Sequence, residues 1–196
     1  YHGDMENYFA TKRRLFEMQT KHAAQLVNVD DPFGKRLMRE FDARTFGEAE
    51  EATFRITDLT LGQRKTRFQI SGNEYCMPLI GRHNVANAAA AVGLARGIGI
   101  SADECAKALA TAEPVPGRLE PIHCGQPFAV YVDYAHTDDA LRQVLVTLRE
   151  ITPGRLHVIF GCGGNRDTGK RFKMGTVAAE LADNSCITTD NPRHEE

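Results

Sequence analysis

The sequence predicts an α/β protein in two parts, a helical part with a small β-layer followed by a parallel-sheet part. Three observations carry this prediction. From Phe128 to Thr189 short apolar segments alternate with segments of helical period, a pattern that argues for a parallel, doubly wound sheet. Earlier, Phe54, Ile56, Leu59 and Leu61, then Phe68 and Ile70, alternate with polar residues, as in an antiparallel hairpin or small β-layer. Between the two stretches lies Glu113-Pro114-Val115-Pro116-Gly117, two prolines and a glycine in five residues, which reads as a linker. The boundary is therefore expected near residue 117, giving parts 1–117 and 118–196.

Residues 4 to about 22 predict a helix, with Asp4 as N-cap and Met5, Tyr8, Phe9, Leu15 and Phe16 on one apolar stripe. Ala24 to Val29 reads as a short strand closed by Asp30-Asp31-Pro32. After the β-layer, Ala-rich helices are expected over about 84–97 and 102–112, the second capped by Ser101. Beyond the linker the expected order is strand (Phe128 to Asp133), helix (138–150), strand (Leu156 to Phe160), helix (173–183) and strand (185–189).

Composition excludes several function classes. Acidic residues number 26 and basic residues 24, so there is no electrostatic footprint for nucleic acid or an anionic membrane. No apolar run approaches the roughly 20 residues of a membrane span, so no membrane insertion is expected. The five cysteines are odd in number and scattered, without a Cys-x-x-Cys pair, which points away from a disulfide framework and towards a reducing cytoplasm. The first residues, Tyr1-His2-Gly3-Asp4, carry no signal-peptide pattern and read as the interior of a longer chain.

Several groups of residues could carry chemistry. Asp190-Asn191-Pro192-Arg193 follows the last strand as a rigid turn bearing an acid, an amide and a guanidinium. At the carboxyl edge of a sheet Arg193 can grip a carboxylate with two parallel hydrogen bonds and Asp190 can pair with an ammonium, a set that suits a zwitterionic amino acid. A solvated turn after an edge strand is the plain alternative. Gly164 to Arg171 nearly matches the phosphate loop G-x-x-x-x-G-K-[ST] but fails where Arg171 replaces the hydroxyl residue. What remains is a glycine-rich loop after a strand, followed by Arg166, Lys170, Arg171 and Lys173, which favours anions.

Asp133-Tyr134-Ala135-His136-Thr137-Asp138 places an acid, a phenol and an imidazole at a strand end. Helix entry, with Thr137 as cap, explains part of that segment but not His136. Asn84 and Asn87 open an Ala-rich helix, where Asn is an ordinary cap, and Arg118 follows the linker directly. Lys12 falls near the centre of the first helix's apolar stripe. It either snorkels to water or is a desolvated amine able to add carbon dioxide, giving a carbamate that suits Mg²⁺.

Taken in order, these segments resemble one family. They are Tyr1-His2-Gly3-Asp4-Met5-Glu6-Asn7-Tyr8-Phe9-Ala10-Thr11-Lys12, Gly81-Arg82-His83-Asn84-Val85-Ala86-Asn87, Pro116-Gly117-Arg118-Leu119-Glu120, Val132 to Thr137, Gly161 to Asp167 and Asp190 to Arg193. The chain is similar to the Mur ligases over essentially its whole length, most thinly between about residues 36 and 76. Within the family it resembles the branch that adds meso-diaminopimelate to the peptidoglycan stem peptide.

The resemblance implies a partial central nucleotide-binding domain over 1–117 and the start of a Rossmann-like C-terminal domain over 118–196. It implies a cytoplasmic, monomeric ligase. ATP would phosphorylate the D-glutamate carboxylate of UDP-MurNAc-L-Ala-D-Glu, and the amine of meso-diaminopimelate would attack the acyl phosphate. Lys12 matches the carbamylated lysine that helps hold Mg²⁺, Asn84 an ATP-contacting asparagine and Arg118 an arginine near the phosphates. Asp133 and His136 lie in the segment that meets the nucleotide, and Lys12, Arg118 and His136 stand for catalysis. Arg166, Asp190, Asn191, Pro192 and Arg193 match positions that bind diaminopimelate. The Asp-Asn-Pro-Arg form favours that acceptor over lysine or a folylpolyglutamate synthase type of substrate. A non-catalytic binding module on the same fold is the other reading.

Two departures stand out. The family's UDP-binding domain, its Gly-Lys-Thr phosphate loop and an upstream metal-binding His have no counterpart in these residues, so the chain alone is expected to be inactive. Asn165 stands where the family usually has Asp.

Overall fold

In the computed structural model, which describes residues 3–20, 23–165 and 168–195, the chain divides into two compact units. Unit 1 comprises residues 1–60 and 64–112, and unit 2 comprises 61–63 and 113–196.

Unit 1 opens with α1 (Met5–Met18), whose first turn is capped by the Asp4 carboxylate accepting from the Asn7 N–H at 2.8 Å. The strand β1 (Leu26–Asn28) leads into α2 (Pro32–Phe41), an element absent from the sequence expectation. Asp31 caps α2 by accepting from Phe33 and Gly34 N–H, and Pro32 sits in the first turn, where its missing N–H costs nothing. Helices α1 and α2 meet through Phe9 on Phe33, centroids 5.1 Å apart, and Phe16 near Phe41 at 5.5 Å. The Arg36 guanidinium stacks 4.2 Å from the Phe9 ring centre while its Nη1 donates to both Glu6 carboxylate oxygens.

This packing corrects the expected apolar stripe of the first helix. Phe9 and Phe16 face the core, whereas Met5, Tyr8 and Leu15 are exposed. Lys12 shares the exposed side, its Nζ 5.3 Å from the Tyr8 ring centre, so burial within the described residues does not desolvate it.

A five-stranded sheet runs β1-β2-β3-β4-β5, with β2 (Arg44–Gly47), β3 (Phe54–Thr60), β4 (Thr66–Ile70) and β5 (Asn73–Met77). Strands β1, β2 and β3 are parallel, and β3 to β5 form an antiparallel meander. The expected hairpin is therefore real but carries a third strand, β5, behind the Ser71-Gly72 turn. Inward residues Ile56, Phe68, Ile70, Tyr75 and Met77 are buried, and burial pushes the Tyr75 phenol pKa up.

Helix α3 (Arg82–Gly97) covers β1 and β2 with Val85, Ala88, Ala89 and Val92, and α4 (Ala102–Ala110) packs on β5. Small residues let α3 approach closely. A Cβ on Gly93 would lie 2.7 Å from a Leu26 methyl. Ser101 caps α4 in a full capping box with Glu104, as the sequence predicts.

Unit 2 contains β6 (Glu120–Pro121), β7 (Tyr131–Val132), α5 (Asp138–Ile151), β8 (His157–Phe160), α6 (Gly169–Leu181) and β9 (Asn184–Ile187). Strands β8 and β9 pair in parallel, with Phe160 opposite Ile187, and Leu145, Leu148, Met174, Val177 and Ala178 of α5 and α6 are buried. The expected strand from Phe128 to Asp133 shrinks to β7, which pairs antiparallel with β6 rather than joining the β8–β9 sheet. Helix α6 begins four residues before the expected start, taking in Gly169 and Lys170.

Among the glycines of unit 1, Gly34 marks the closest approach, between α2 and β1, where a Cβ would lie 1.8 Å from the Asn28 carbonyl oxygen. Gly34→Ala is expected to destabilise unit 1 by about 1–3 kcal/mol through forced separation of the two elements. Gly175→Ala on α6, where nothing lies within 4 Å, is expected to stabilise by about 0.5–1 kcal/mol. Urea unfolding midpoints at constant slope measure both.

Candidate functional site

In unit 2 the linker and the Asp-Tyr-Ala-His segment are tied together through main-chain groups. The Asp133 carboxylate accepts from Leu119 N–H and from Ala135 N–H, each at 2.8 Å. Tyr134 N–H donates to the Gly117 carbonyl at 2.7 Å, and Gly117 N–H donates to Glu120 at 2.8 Å. These ties hold Leu119 buried with φ of 43°, a left-handed conformation unusual for a branched side chain. Arg118, one residue earlier, is thereby held at the surface with its guanidinium 5.8 Å from the Tyr134 ring centre.

His136 is exposed beside Tyr134, ring centroids 5.0 Å apart, with Nδ1 3.1 Å from the Tyr134 carbonyl. Lys170 at the start of α6 donates to the His136 carbonyl at 3.0 Å. Thr137 caps α5 by accepting from Ala140 N–H, as expected. Arg118, Asp133 and His136 therefore form one neighbourhood. Within it Asp133 acts as a fastener, with one backbone N–H on each carboxylate oxygen.

The second neighbourhood lies where β8 and β9 end. The glycine loop after β8 crosses the Asp190–Arg193 turn after β9 at main-chain contact. Gly164 N–H donates to the Asn191 carbonyl at 2.8 Å, and a Cβ on Gly164 would sit 2.0 Å from the Pro192 carbonyl oxygen. Asp190, Asn191, Pro192 and Arg193 are all exposed, so the turn offers its side chains to solvent. A shallow cavity of about 260 Å³ opens beside it, lined by Cys162, Gly164, Arg171, Asp190, Pro192 and Glu195 among others.

Asn165, Arg171 and Glu195, which sequence reasoning did not single out as a group, join the loop to the turn. Asn165 N–H donates to Glu195 Oε1 at 2.7 Å, Asn165 Oδ1 accepts from His194 N–H at 3.0 Å, and the Arg171 guanidinium pairs with Glu195 Oε2. The Asn165 N–H first, and then Arg171, hold the Glu195 carboxyl below its ordinary range. Arg166 lies outside the described residues.

Unit 1 carries the remaining two candidates on separate helices. Asn84 is not the cap of α3, which starts at Arg82 behind Gly81; its amide instead donates to the Ile80 carbonyl at 2.8 Å. Lys12 is exposed on α1. Among the described residues no group of three or more His, Cys, Asp and Glu is placed to hold a metal ion. Nor is any helix among them long and apolar enough to cross a membrane.

Two sequence-family models match the chain. The Mur ligase middle domain matches residues 1–95, and the Mur ligase glutamate ligase domain matches 117–196. The chain belongs to the Mur ligase family. Among its relatives, the UDP-N-acetylmuramoyl-L-alanyl-D-glutamate–2,6-diaminopimelate ligase of Streptomyces avermitilis is 40% identical over 205 aligned residues, covering 100% of this chain and 40% of that protein. The enzyme of the same name from Solibacter usitatus is 42% identical, covering 100% of this chain and 41% of its own length. A solved structure of such a diaminopimelate ligase superposes with TM-score 0.73 at 31% identity, covering 100% of this chain and 42% of the other. The chain thus spans about two fifths of the length of the relatives it matches.

The carboxylate fasteners give a pH dependence with a definite sign. Leu156 N–H and Arg149 hold Asp183 below its ordinary range, as Asn165 N–H and Arg171 hold Glu195. A folded-state value below the unfolded one means stability is present at neutral pH and is lost as pH falls through the folded values. Unit 2 is therefore expected to weaken below the ordinary carboxylate range, and Asp183→Asn to make that acid limb shallower. Denaturant unfolding between pH 7 and pH 3 measures it.

Proposed function

We propose that the chain is a segment of an ATP-dependent amide ligase that joins meso-diaminopimelate to UDP-MurNAc-L-Ala-D-Glu in peptidoglycan synthesis. The main support is the exposed Asp190–Arg193 turn held on the glycine loop, in a chain about 40% identical to diaminopimelate ligases. Residues 1–117 form the later part of the central ATPase domain and 118–196 the earlier part of the C-terminal domain. The five free cysteines suit a reducing, cytoplasmic setting for a monomeric enzyme.

In this reading Arg193, with Arg166, grips the distal carboxylate of diaminopimelate, a group lysine lacks, and Asp190 pairs with its ammonium. Asn191 and Pro192 set the shape of the turn between them. The reacting amine, once deprotonated, forms a bond to the D-glutamyl carbonyl carbon as the acyl–phosphate bond breaks and phosphate leaves.

Arg118, exposed beside Tyr134, contacts nucleotide phosphates and offsets their charge. His136 would contact the nucleotide, and Asp133, accepting from Leu119 and Ala135 N–H, ties the segments that carry Arg118 and His136 together. Asn84 keeps its carbonyl oxygen for the nucleotide while its amide is held by Ile80. Bound Mg²⁺ would neutralise phosphate charge, and Lys12 as a carbamate would lend it an oxygen. The described residues do not complete that metal site.

The test is an assay of the longest natural chain that contains these 196 residues. Phosphate release from ATP, in the presence of UDP-MurNAc-L-Ala-D-Glu, is expected to require meso-diaminopimelate. Preferential use of L-lysine would overturn the acceptor assignment. In the same protein Arg193→Lys is expected to raise the diaminopimelate KM by about tenfold to a hundredfold, the range for losing one charge-assisted hydrogen bond.

A further inference from the structure

We propose that Asn165, Arg171 and Glu195 form a clamp that positions the Asp190–Arg193 turn and so sets the affinity for the amino-acid acceptor. This rests on the acceptor reading given above, and assigns a task to three side chains outside the tetrapeptide that would touch the acceptor.

An exposed turn after a short strand ordinarily moves freely. This one is fixed in the middle and at its far end. Gly164 N–H holds the Asn191 carbonyl in the middle, and Asn165 Oδ1 holds His194 N–H just after Arg193. Glu195 then closes the far end, accepting from Asn165 N–H on one carboxylate oxygen and from Arg171 on the other, while its own N–H donates to the Pro192 carbonyl at 3.0 Å. Arg171 stands in the first turn of α6, so the clamp is anchored on a helix packed against the core by Met174, Val177 and Ala178.

Two features mark the clamp as a positioning device. Its contacts are made by backbone groups and by residues outside the tetrapeptide, so the Asp190 and Arg193 side chains stay exposed for a ligand. Both Asn165 and Arg193 adopt left-handed backbone, with φ of 51° and 54°. Such residues persist only where neighbours over-determine them. The Asn165 side chain and backbone supply that restraint directly. Its Oδ1 is the atom an aspartate would also present, so an acid at this position could make the same contact with His194 N–H.

The experiment uses the longest natural chain containing these residues, with variants Glu195→Gln, Arg171→Met, Asn165→Ala and Asn165→Asp. Steady-state assays give KM for the acceptor and for ATP, and amide hydrogen exchange at Gly164, His194 and Glu195, whose N–H groups are bonded between loop and turn, reports the clamp. Glu195→Gln and Asn165→Ala are expected to raise the acceptor KM about tenfold and speed exchange in the turn by a similar factor, with the ATP KM within about twofold of wild type. Asn165→Asp, which keeps an Oδ1 acceptor for His194 N–H, leaves exchange in the turn at the wild-type rate, and combining Arg171→Met with Glu195→Gln adds little to either alone. A fall in thermal stability with the acceptor KM and the exchange rates unmoved would overturn the clamp. So would equal rises in both KM values. If the wild type prefers a different amino acid, the acceptor assignment fails alone and the clamp is judged on that acceptor's KM. Unchanged exchange in Glu195→Gln defeats the clamp whatever the acceptor.

Discussion

The main-chain contact between the glycine loop and the Asp190–Arg193 turn is the constraint on which the candidate site depends. Parallel pairing of β8 with β9 puts Phe160 opposite Ile187, so the two chains leave the sheet side by side at the same edge. Side chains would normally hold such loops apart. At Gly161 a Cβ would meet the Thr188 carbonyl at 2.5 Å and the Asp190 N at 2.7 Å, and at Gly164 it would meet the Pro192 carbonyl at 2.0 Å. The glycines matter here for close approach, the same use the fold makes of Gly34 and Gly93 in unit 1. The glycine-rich loop and the exposed turn draw on the same geometry.

A second regularity runs through both units. Acidic side chains in both units are spent on backbone N–H groups. Asp133 holds Leu119 and Ala135, Asp183 holds Leu156, Glu120 holds Gly117, Glu195 holds Asn165, and Asp30 holds Glu48 and Ala49. Each bond satisfies a donor that a loop would otherwise leave to water. Arg118 and Arg193 are left exposed on loops whose shape these acids fix. For a protein of near-neutral net charge, this produces local positive sites without a basic surface.

What the sequence made legible follows the range of the interactions. The caps Asp4, Ser101 and Thr137 act within one turn, and all three were readable from neighbouring residues. Reading Asp31-Pro32 as the close of a strand hides helix α2, although Asp31 as cap with Phe33, Leu37 and Phe41 at helical spacing is an available signal. The side of α1 that packs was not available locally. Its apolar residues wrap over two faces, and only the arrival of α2 selects Phe9 and Phe16, leaving Lys12 outside. At the site, the order of motifs disclosed the family and the turn. The partnership of Asn165, Arg171 and Glu195 joins residues 24 to 30 positions apart, with no local pattern to announce it.

The charge balance of that partnership bears on how the turn could discriminate. Arg171 and Glu195 neutralise one another, and Asn165 is neutral, so the clamp imposes order without adding a net field beside Arg193. A lone acid holding the turn would draw the Arg193 guanidinium towards itself and compete with an incoming carboxylate. A lone base would attract any anion without regard to shape. A neutral clamp leaves selectivity to the spacing between Asp190 and Arg193, which rigid backbone can fix and mobile backbone cannot. Under the proposed function, discrimination between an acceptor with a second carboxylate and one without it rests on how firmly that spacing is held.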